Sequence, residues 1–334
     1  MENRLPENLL EAVRYFSDPQ VCHDFAVSMR WPEGITCPRC GSEQVGFVKT
    51  RRIWNCKGCK KQFSFKVGTI FEDSPLGLDK WLVALWMLTG AKNGISSCEL
   101  ARALGVTQKT AWFLLHRGRR VLQTGSIEKA EGTIEVDETF VGGKAKNMHY
   151  DKKQEKIQGR GATGKTVVLG ILKRGNGAKD ENGNPRPKED RIYSQVQLTV
   201  VPDTTEQTLV SEIKDRVQEG SEVFTDAHKA YRALADEGFT HAFVDHAVRY
   251  VEGRVYTNGC ENVWNLLDRM MHGTYTFCLP HHLFRYSDEL AFRFNHRDGT
   301  DLTRFLLAMK RVEGKRLTYR ELTESHLQHL APIE

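Results

Sequence analysis

The chain has 334 residues, 40% of them hydrophobic, which exceeds one ordinary domain and predicts a main domain of about 200 residues with a smaller attachment. No apolar run approaches the roughly 18 residues of a membrane-spanning helix, and the N-terminus is too charged for a signal peptide, so we expect a soluble, cytoplasmic protein. The net charge of +5 arises within residues 1–132, which carry 19 Lys and Arg against 13 Asp and Glu, an excess compatible with a nucleic-acid partner or with ordinary solvation.

A zinc ribbon is predicted over residues 36–72, after a helical lead-in over residues 1–35. Two Cys-x2-Cys pairs, 15 residues apart, mark the ribbon, whereas the other four cysteines are isolated. Each pair sits on a tight turn, so two sulfurs can point at one ion, and four thiolates suit tetrahedral Zn in a closed, structural site. The alternative is a set of four unpaired structural cysteines. The predicted zinc ligands are Cys37, Cys40, Cys56 and Cys59.

The stretches VGFVKTRRIWN and KKQFSFKVGTIF alternate between apolar and polar residues and are predicted to be β-hairpin strands. Basic side chains decorate both stretches. We interpret these side chains as phosphate contacts, although a small solvated domain with few core residues has a similar pattern. The residues predicted to contact DNA here are Arg51, Arg52, Lys60 and Lys61.

Residues 73–125 are predicted to form a helix-turn-helix segment that binds DNA. A helix over residues 99–104 and a second helix over residues 107–120 flank a turn at Gly105. In this arrangement the second helix presents its N-terminal residues to the major groove. Helical hairpins without DNA contacts are also common. The residues predicted to contact DNA here are Gln108, Lys109, Thr110, Arg117, Arg119 and Arg120.

Residues 130–299 have a different pattern, in which three strands come first and helix and strand then alternate. A long helix over about 258–271 closes the pattern. This is the element order of the ribonuclease-H-like fold, an α/β architecture with a mixed five-stranded sheet. The predicted strands are 133–141, 166–174, 192–201, 222–226 and 240–245. Residues 300–334 are predicted to be a helical C-terminal tail.

Three acids fall at related places on this frame. Asp137 lies on the first strand, Asp226 ends the fourth strand, and Glu261 lies in the first turn of the late helix. In the ribonuclease-H-like fold the first and fourth strands lie side by side, and the late helix crosses above them. Carboxylates brought together repel one another unless cations neutralise them, and such hard oxygen ligands suit Mg or Mn. Each acid taken alone is more typical of a solvated strand or helix end than of a catalytic group.

The first of these strands, TIEVDETFVGG, carries three acids in four positions. Side chains alternate along a strand, so Ile134 and Val136 are predicted to face the core, while Glu135 and Asp137 share the opposite face. Glu138 is predicted to point away from the face of Asp137. We therefore assign Asp137 to the site and interpret Glu135 and Glu138 as neighbouring or solvated groups.

Several longer stretches, including WPEGITCPRCGS, IEVDETFVGGK, FTDAHKAY and VYTNGCENVWNLLDR, resemble the transposases of the insertion-sequence 1595 family, with a zinc ribbon and an ISXO-like catalytic domain. The resemblance covers roughly residues 15–300 in the same order. It implies a DDE transposase that binds element ends and nicks and joins DNA by a two-metal mechanism, with Mg held by Asp137, Asp226 and Glu261. It also implies double-stranded DNA as the partner, a homo-oligomer on that DNA, and association with the nucleoid.

Two positions depart from the family pattern. Some members carry Asn at the third acidic position, and here Asn258 lies one helical turn before Glu261. We prefer Glu261, because a carboxylate binds Mg more strongly than an amide and Asn258 is equally typical of a helix N-cap. Members also often carry Lys or Arg seven residues after the acid, where this chain has Asp268. The role then passes to Arg269 or is lost.

Three further features leave alternatives open. His246, after the fifth strand, either contacts a metal-bound phosphate or fills a strand end. Trp264 shares a helical face with Glu261 and either stacks on a displaced base or packs in the interior. The basic stretch 144–165 either closes over DNA or is a solvated insertion.

Two other functions remain compatible with the sequence. The first is a catalytically inactive DNA-binding protein derived from a transposase, which Asp268 weakly favours. The second is a stand-alone ribonuclease-H-like nuclease, which has no obvious need for a zinc ribbon and a helix-turn-helix segment.

Overall fold

The computed structural model describes residues 4–123, 129–142, 165–177, 183–244 and 255–328. These residues form two compact units. The first unit joins the residues up to 123 with those from 299 onward, and the second unit contains the residues between them. His246 and all but the last residue of the basic stretch 144–165 lie outside the described residues.

The first unit begins with two helices and a small sheet. Helix α1 spans Leu9–Tyr15, and helix α2 spans Pro19–Arg30. Asp18 begins α2, because its carboxylate accepts a hydrogen bond from the Gln20 N–H. The hairpin strands predicted from the sequence are confirmed. They form an antiparallel sheet of β1 (Val45–Val48), β2 (Ile53–Cys56) and β3 (Gln62–Phe63).

Aromatic rings fill the core between α2 and this sheet. Trp54 of β2 stacks on His23 and Phe63, with interplanar angles of 13° and 22°. The ring of Trp31 meets Trp54 edge-on at 5.4 Å between centroids. A ribbon of this size has few aliphatic side chains, so these ring contacts supply most of its buried apolar surface.

Two helices of the first unit flank a tight turn. Helix α3 is Leu78–Gly90, helix α4 is Ser97–Leu104 and helix α5 is Gln108–Leu122. Ser96 and Glu99 form a capping box at the start of α4. The turn into α5 passes through Gly105, whose φ of 62° is a left-handed conformation that glycine adopts without strain. Thr107 then caps α5 by accepting the Thr110 N–H. The pair of helices predicted around Gly105 is confirmed.

The second unit is built on a five-stranded mixed sheet. Its strands are β4 (Thr133–Val141), β5 (Thr166–Lys173), β6 (Gln195–Val201), β7 (Glu222–Asp226) and β8 (Thr240–Val244). Their order is β6-β5-β4-β7-β8. Strand β5 is antiparallel to both β4 and β6, whereas β7 is parallel to both β4 and β8. The predicted ribonuclease-H-like arrangement, with the first and fourth strands of the domain adjacent, is confirmed.

Helices cover both faces of this sheet. They are α6 (Glu206–Arg216), α7 (Asn258–Arg269) and α8 (Leu283–Asn295). On one face, Ile213 of α6 belongs to the same buried cluster as Ile134 and Val136 of β4. On the other face, Val263 of α7 lies in a second cluster with Val168 of β5. The alternation predicted for β4 therefore holds, because its apolar residues face α6 and leave the opposite side to α7.

Two segments of this unit depart from α-helical geometry. The segment between β7 and β8 includes a 3-10 helix, Lys229–Ala235, the tighter form used in short connections. At its C-terminal end, α7 continues into a π-helical turn, Met270–Tyr275. No helix among the described residues is both long and apolar enough to cross a bilayer.

The C-terminal helices belong to the first unit. They are α9 (Asp301–Met309) and α10 (Tyr319–Gln328). Phe305 of α9 is fully buried, with its ring centroid 5.2 to 5.7 Å from those of Phe16, Phe25 and Trp86. The sequence separated residues 300–334 as a tail, whereas side chains from 305 to 322 of this segment complete the core of the first unit. Apolar periodicity predicts such helices but not the rings on which they pack.

We predict that Phe305→Ala destabilises the protein by about 3–5 kcal/mol, because truncation leaves a cavity among three aromatic rings. Chemical denaturation monitored by circular dichroism measures this change. Phe277→Ala is the matched control, since Phe277 is 72% exposed and its loss should cost less than about 0.5 kcal/mol. Equal stability of Phe305→Ala and the wild type would contradict a structural role for the C-terminal helices.

Candidate active site and zinc site

The four cysteines of the ribbon come together in the structure. Their sulfur atoms all lie within 4.8 Å of one another, with 3.8 Å between Cys37 and Cys59 and 3.6 Å between Cys40 and Cys56. The turn after the first pair passes through Gly41, whose φ is 71°. The same turn brings the two sulfurs of the first pair toward those of the second.

This cluster fits a zinc ion. A tetrahedral site with Zn–S bonds of about 2.3 Å has sulfur atoms about 3.8 Å apart, close to the separations observed. The backbone N–H of Cys59 donates to the sulfur of Cys56 at 3.5 Å and is the first of several hydrogen bonds that lower the pKa of the Cys56 thiol to about 6. Against the lowering effect of a backbone hydrogen bond from Ser42, the hydrogen bond with Cys56 raises the pKa of the Cys40 thiol to about 11. A thiolate is the form that binds metal. The predicted ribbon therefore has the ligand geometry of a structural zinc site.

In the second unit, two of the predicted acids lie on adjacent parallel strands. The paired register of β4 and β7 includes Ile134 with Val223 and Glu135 with Phe224. Asp137 and Asp226 each lie two residues beyond the last of these pairs. The structure thus brings Asp137 and Asp226 to the same level on two adjacent strands, although they are far apart in the sequence.

The carboxylate of Asp137 is held at both oxygens. Its Oδ1 accepts the backbone N–H of Glu138 at 2.9 Å, and its Oδ2 accepts the indole N–H of Trp264 at 2.7 Å. Burial raises the pKa of Asp137 to about 7 against the lowering effect of the Trp264 hydrogen bond. The nearby charges of Glu138 and Asp226 also raise this pKa. Asp137 is therefore a carboxylate whose negative charge is costly without a cation nearby.

Trp264 has a contact that sequence reasoning missed. The sequence left two alternatives, base stacking and interior packing, and neither includes a hydrogen bond to an acid. Its place one turn after Glu261 on α7 was the available signal, because that face of the helix was expected to lie over Asp137. Which acid the indole reaches is a tertiary result.

Glu138 lies on the opposite face of β4 from Trp264, as the alternation predicts. The hydroxyl of Tyr231 donates to its carboxylate, and Tyr231 belongs to the apolar cluster beneath α6. Burial raises the pKa of Glu138, and the charge of Asp226 adds to the increase. Glu138 is therefore a partly buried neighbour of the two aspartates.

Glu135 is almost fully buried, and its carboxylate anchors the late helix. It accepts the backbone N–H groups of Gly259 and Cys260 at 2.7 and 3.1 Å, and the Arg174 guanidinium at 2.6 Å. Arg174 also donates to the carbonyl of Tyr256 at 2.6 Å. A carboxylate at a helix N-terminus interacts favourably with the helix dipole, so Glu135 holds the first turn of α7 against β4. Periodicity in the sequence predicted the burial of the neighbours of Glu135 but not this contact.

Glu261 and Asn258 both lie in the first turn of α7. Glu261 is half-buried, whereas Asn258 is exposed and is the first residue of the helix. The N-cap position belongs to Thr257, which removes the capping interpretation of Asn258. Among the described residues, the cysteines are the only set of three or more possible ligands within 4.8 Å of one another, so the carboxylates of Asp137, Asp226 and Glu261 do not all lie that close together in this structure.

The residues near the end of α7 are exposed. Asp268 pairs with His272 one turn later, at 2.8 Å between the carboxylate and the ring nitrogen. Arg269 is also exposed, at the last position of the helix. Neither side chain is held in the interior, and both remain available to a ligand at the surface.

The sequence matches known families in two places. Residues 129–295 match the ISXO2-like transposase domain, and residues 17–62 match the transposase zinc-ribbon domain. The chain belongs to the ISXO2-like transposases. An uncharacterized protein in transposable element ISH50 of Halobacterium salinarum is 28% identical over 270 residues, which cover 78% of this chain and 85% of the relative. An uncharacterized transposase-like protein of Haemophilus influenzae is 30% identical over 104 residues, 31% of this chain and 84% of the relative.

In this transposase, most of the residues predicted to contact DNA lie at the surface. Gln108 and Lys109 are exposed in the first turn of α5, and Thr110 is half-buried. Arg120 is also half-buried, farther along the helix. The exposed predicted residues of the ribbon are Arg51, Arg52, Lys60 and Lys61.

Arg117 and Arg119 lie in the interior instead. Arg117 is 3% exposed, donates to the carbonyl of Glu72, and packs over the rings of Trp81 and Phe113. Burial lowers the pKa of Arg117 to about 10. Arg119 is 1% exposed. Their positions on α5 were compatible with either face, and the packing of α5 turned both side chains away from solvent.

We predict about one Zn per chain, because four thiolates surround a volume that suits one ion. Inductively coupled plasma mass spectrometry of the purified protein measures the Zn content. Cys40→Ser should lose most of the metal, whereas Cys98→Ser, at an exposed and isolated cysteine, should retain it. Stoichiometric Zn in Cys40→Ser would contradict the four-cysteine site.

We also predict that Asp137→Asn stabilises the protein at pH 8 without added Mg by about 1–3 kcal/mol. The pKa of Asp137 is raised to about 7 in the folded state, above the value of about 3.9 in an unfolded chain, so the wild type loses stability as the pH rises between these values. The Asn side chain does not titrate. Urea denaturation at pH 5 and pH 8 compares the two proteins, with exposed Asp215→Asn as the control. If the free energy of unfolding changes equally with pH in Asp137→Asn and in the wild type, the raised pKa of Asp137 is contradicted.

Proposed function

We propose that this transposase binds the ends of its element and catalyses Mg-dependent nicking and strand transfer through Asp137, Asp226 and Glu261. The observation that carries the proposal is the juxtaposition of Asp137 and Asp226 on the adjacent strands β4 and β7, where burial and like charge raise the pKa of Asp137 to about 7. Such a carboxylate pair is costly unless a cation neutralises it. Membership of a transposase family supports DNA as the substrate.

The donor atoms suit Mg or Mn. Asp137, Asp226 and Glu261 offer hard carboxylate oxygens, the ligand atoms that these ions prefer. A pair of divalent ions held by these residues would supply activation of a water or a 3′ hydroxyl and stabilisation of the leaving oxygen of a phosphodiester. Asn258 is the alternative third ligand, and its exposed position in the same helical turn keeps its amide oxygen accessible.

The residues of the chain supply position and charge in this mechanism. Hydrogen bonds to both oxygens of Asp137 fix the plane of that carboxylate before any ligand arrives. Glu135 fixes the first turn of α7 and thereby the backbone position of Glu261. Glu138, held by Tyr231, adds negative potential beside Asp226 and so favours cation binding. A rigid frame of this kind lowers the reorganisation required when substrate binds.

The DNA partner would meet exposed basic and polar side chains of the first unit. We propose that the first turn of α5 reads the major groove through Gln108, Lys109 and Thr110, and that the ribbon contacts phosphates. Arg117 and Arg119 are left out because they are buried. Double-stranded element ends and target DNA are the proposed ligands. Joining two ends calls for a homo-oligomer on the DNA, associated with the nucleoid.

We predict that the purified protein, with Mg and a duplex carrying its own element ends, nicks the DNA at the element's 3′ end and forms joined product. Asp137→Ala, Asp226→Ala and Glu261→Gln should each reduce nicking at least about 100-fold, because removal of a metal ligand costs no less than loss of an outer-shell partner. Gel electrophoresis of end-labelled DNA measures both products.

Two controls separate the remaining functions. Asp215→Asn, at an exposed acid on α6, should nick at the wild-type rate, and all variants should bind the duplex with unchanged affinity. Tight binding by the wild type without nicking would favour the catalytically inactive DNA-binding protein. Cleavage without joined product, and without preference for element ends, would favour a stand-alone nuclease. Full activity of Asp137→Ala would disprove the site.

A further inference from the structure

We propose that Trp264 and Gly170 form a positioning device for Asp137, in which the space above a glycine lets an indole N–H orient a metal-binding carboxylate. This inference deepens the proposed function and rests on the role of Asp137 in it. It assigns to Trp264 a role other than base stacking or interior packing, and it assigns to Gly170 a role set by space.

Two N–H groups hold the carboxylate of Asp137. The indole N–H of Trp264 and the backbone N–H of Glu138 each donate to a different oxygen of the carboxylate, at 2.7 and 2.9 Å. The two donors come from different elements, α7 and β4. A carboxylate held at both oxygens cannot rotate freely, and one lone pair on each oxygen remains for a cation.

The indole of Trp264 occupies the space over Gly170. Gly170 on β5 pairs directly with Asp137 on β4. A Cβ atom at Gly170 would lie 2.6 Å from Cη2 and 2.8 Å from Cζ2 of Trp264, well inside van der Waals contact. The φ of Gly170 is not in the left-handed region, so the backbone conformation does not require glycine there. The absence of a side chain is what lets the indole lie over the strand and reach Asp137.

The indole N–H of Trp264 is also a chemically suitable donor at a cation site. An indole N–H donates a hydrogen bond but cannot accept one, and it stays neutral at all ordinary pH values. A Lys or Arg at the same place would orient Asp137 equally well but would repel a divalent cation. A His would compete for the metal. Tryptophan at position 264 therefore holds the carboxylate without weakening the negative charge that a cation needs.

The test uses the full chain and Mn²⁺ as the probe, with affinity measured from the electron paramagnetic resonance signal of free Mn²⁺. Trp264→Phe keeps an aromatic ring and removes the N–H, and we expect about 10-fold weaker binding of Mn²⁺, the scale of an outer-shell partner. The matched control is Trp86→Phe, because the Trp86 N–H has no hydrogen-bond partner in the described part of the chain. Unchanged affinity in Trp264→Phe would overturn the inference.

A second pair of variants tests the space over β5. Gly170→Ala should weaken Mn²⁺ binding about as much as Trp264→Phe, since the new methyl group displaces the indole. Gly273→Ala should have no effect, because nothing lies within 4 Å of a Cβ built at Gly273. The double variant of Gly170 and Trp264 should bind no more weakly than the weaker single variant. If the double variant loses Mn²⁺ affinity by the product of the two single-variant losses, Gly170 and Trp264 act independently and the inference is overturned.

Asp137→Ala distinguishes failure of this inference from failure of the proposed function. If Asp137→Ala binds Mn²⁺ as tightly as the wild type, both the metal site and the inference fail. If Asp137→Ala loses binding but Trp264→Phe does not, the site stands and the inference alone fails. If Trp264→Phe binds Mn²⁺ more weakly but binds a single-stranded oligonucleotide as tightly as the wild type, Trp264 acts by orienting Asp137. If the variant keeps its Mn²⁺ affinity but binds the oligonucleotide more weakly, base stacking is supported and the inference is overturned.

Discussion

The buried carboxylate of Glu135 is the contact on which the geometry of the second unit depends. It joins the first strand of the sheet to the N-terminus of α7, and Arg174, directly after β5, neutralises its charge. Removing one partner of such a pair leaves an unpaired buried charge, which typically costs about 3–5 kcal/mol. The arrangement therefore requires that β4, β5 and α7 keep their relative positions. Glu261 and Trp264 lie in the first two turns of α7, so the contacts of Glu135 also fix their backbone positions.

The candidate site contains unfavourable electrostatics that the fold tolerates. Asp137 is largely buried, and its charge is opposed by those of Asp226 and Glu138. Within the part of the chain that the structure describes, two hydrogen bonds favour the charged form. A protein selected for stability alone would place an apolar residue at such a position. The cost is consistent with a site prepared for a cation, because the ion turns mutual repulsion into shared attraction.

The first unit obtains its stability in another way. Its ribbon has a core of stacked rings and a cysteine cluster, and the C-terminal helices close a second group of aromatic side chains around Phe305. Arg117 lies between the rings of Trp81 and Phe113. An arginine buried in this way contributes packing and cation–π contacts, so its position on a presumed DNA-binding helix does not make it a DNA ligand. Charge counted along a sequence overestimates the basic surface for this reason.

Local patterns in the sequence determined much of this protein. Strand and helix periodicity predicted the five strands and α7, and cysteine spacing predicted the ribbon, because each depends on residues close together in the chain. Alternation along β4 also separated Asp137 from Glu138. Only the tertiary structure decided which partners these side chains meet. The contacts of Glu135 with α7, of Trp264 with Asp137, and of Phe305 with the first unit join residues more than 100 positions apart, and no local pattern encodes such distances.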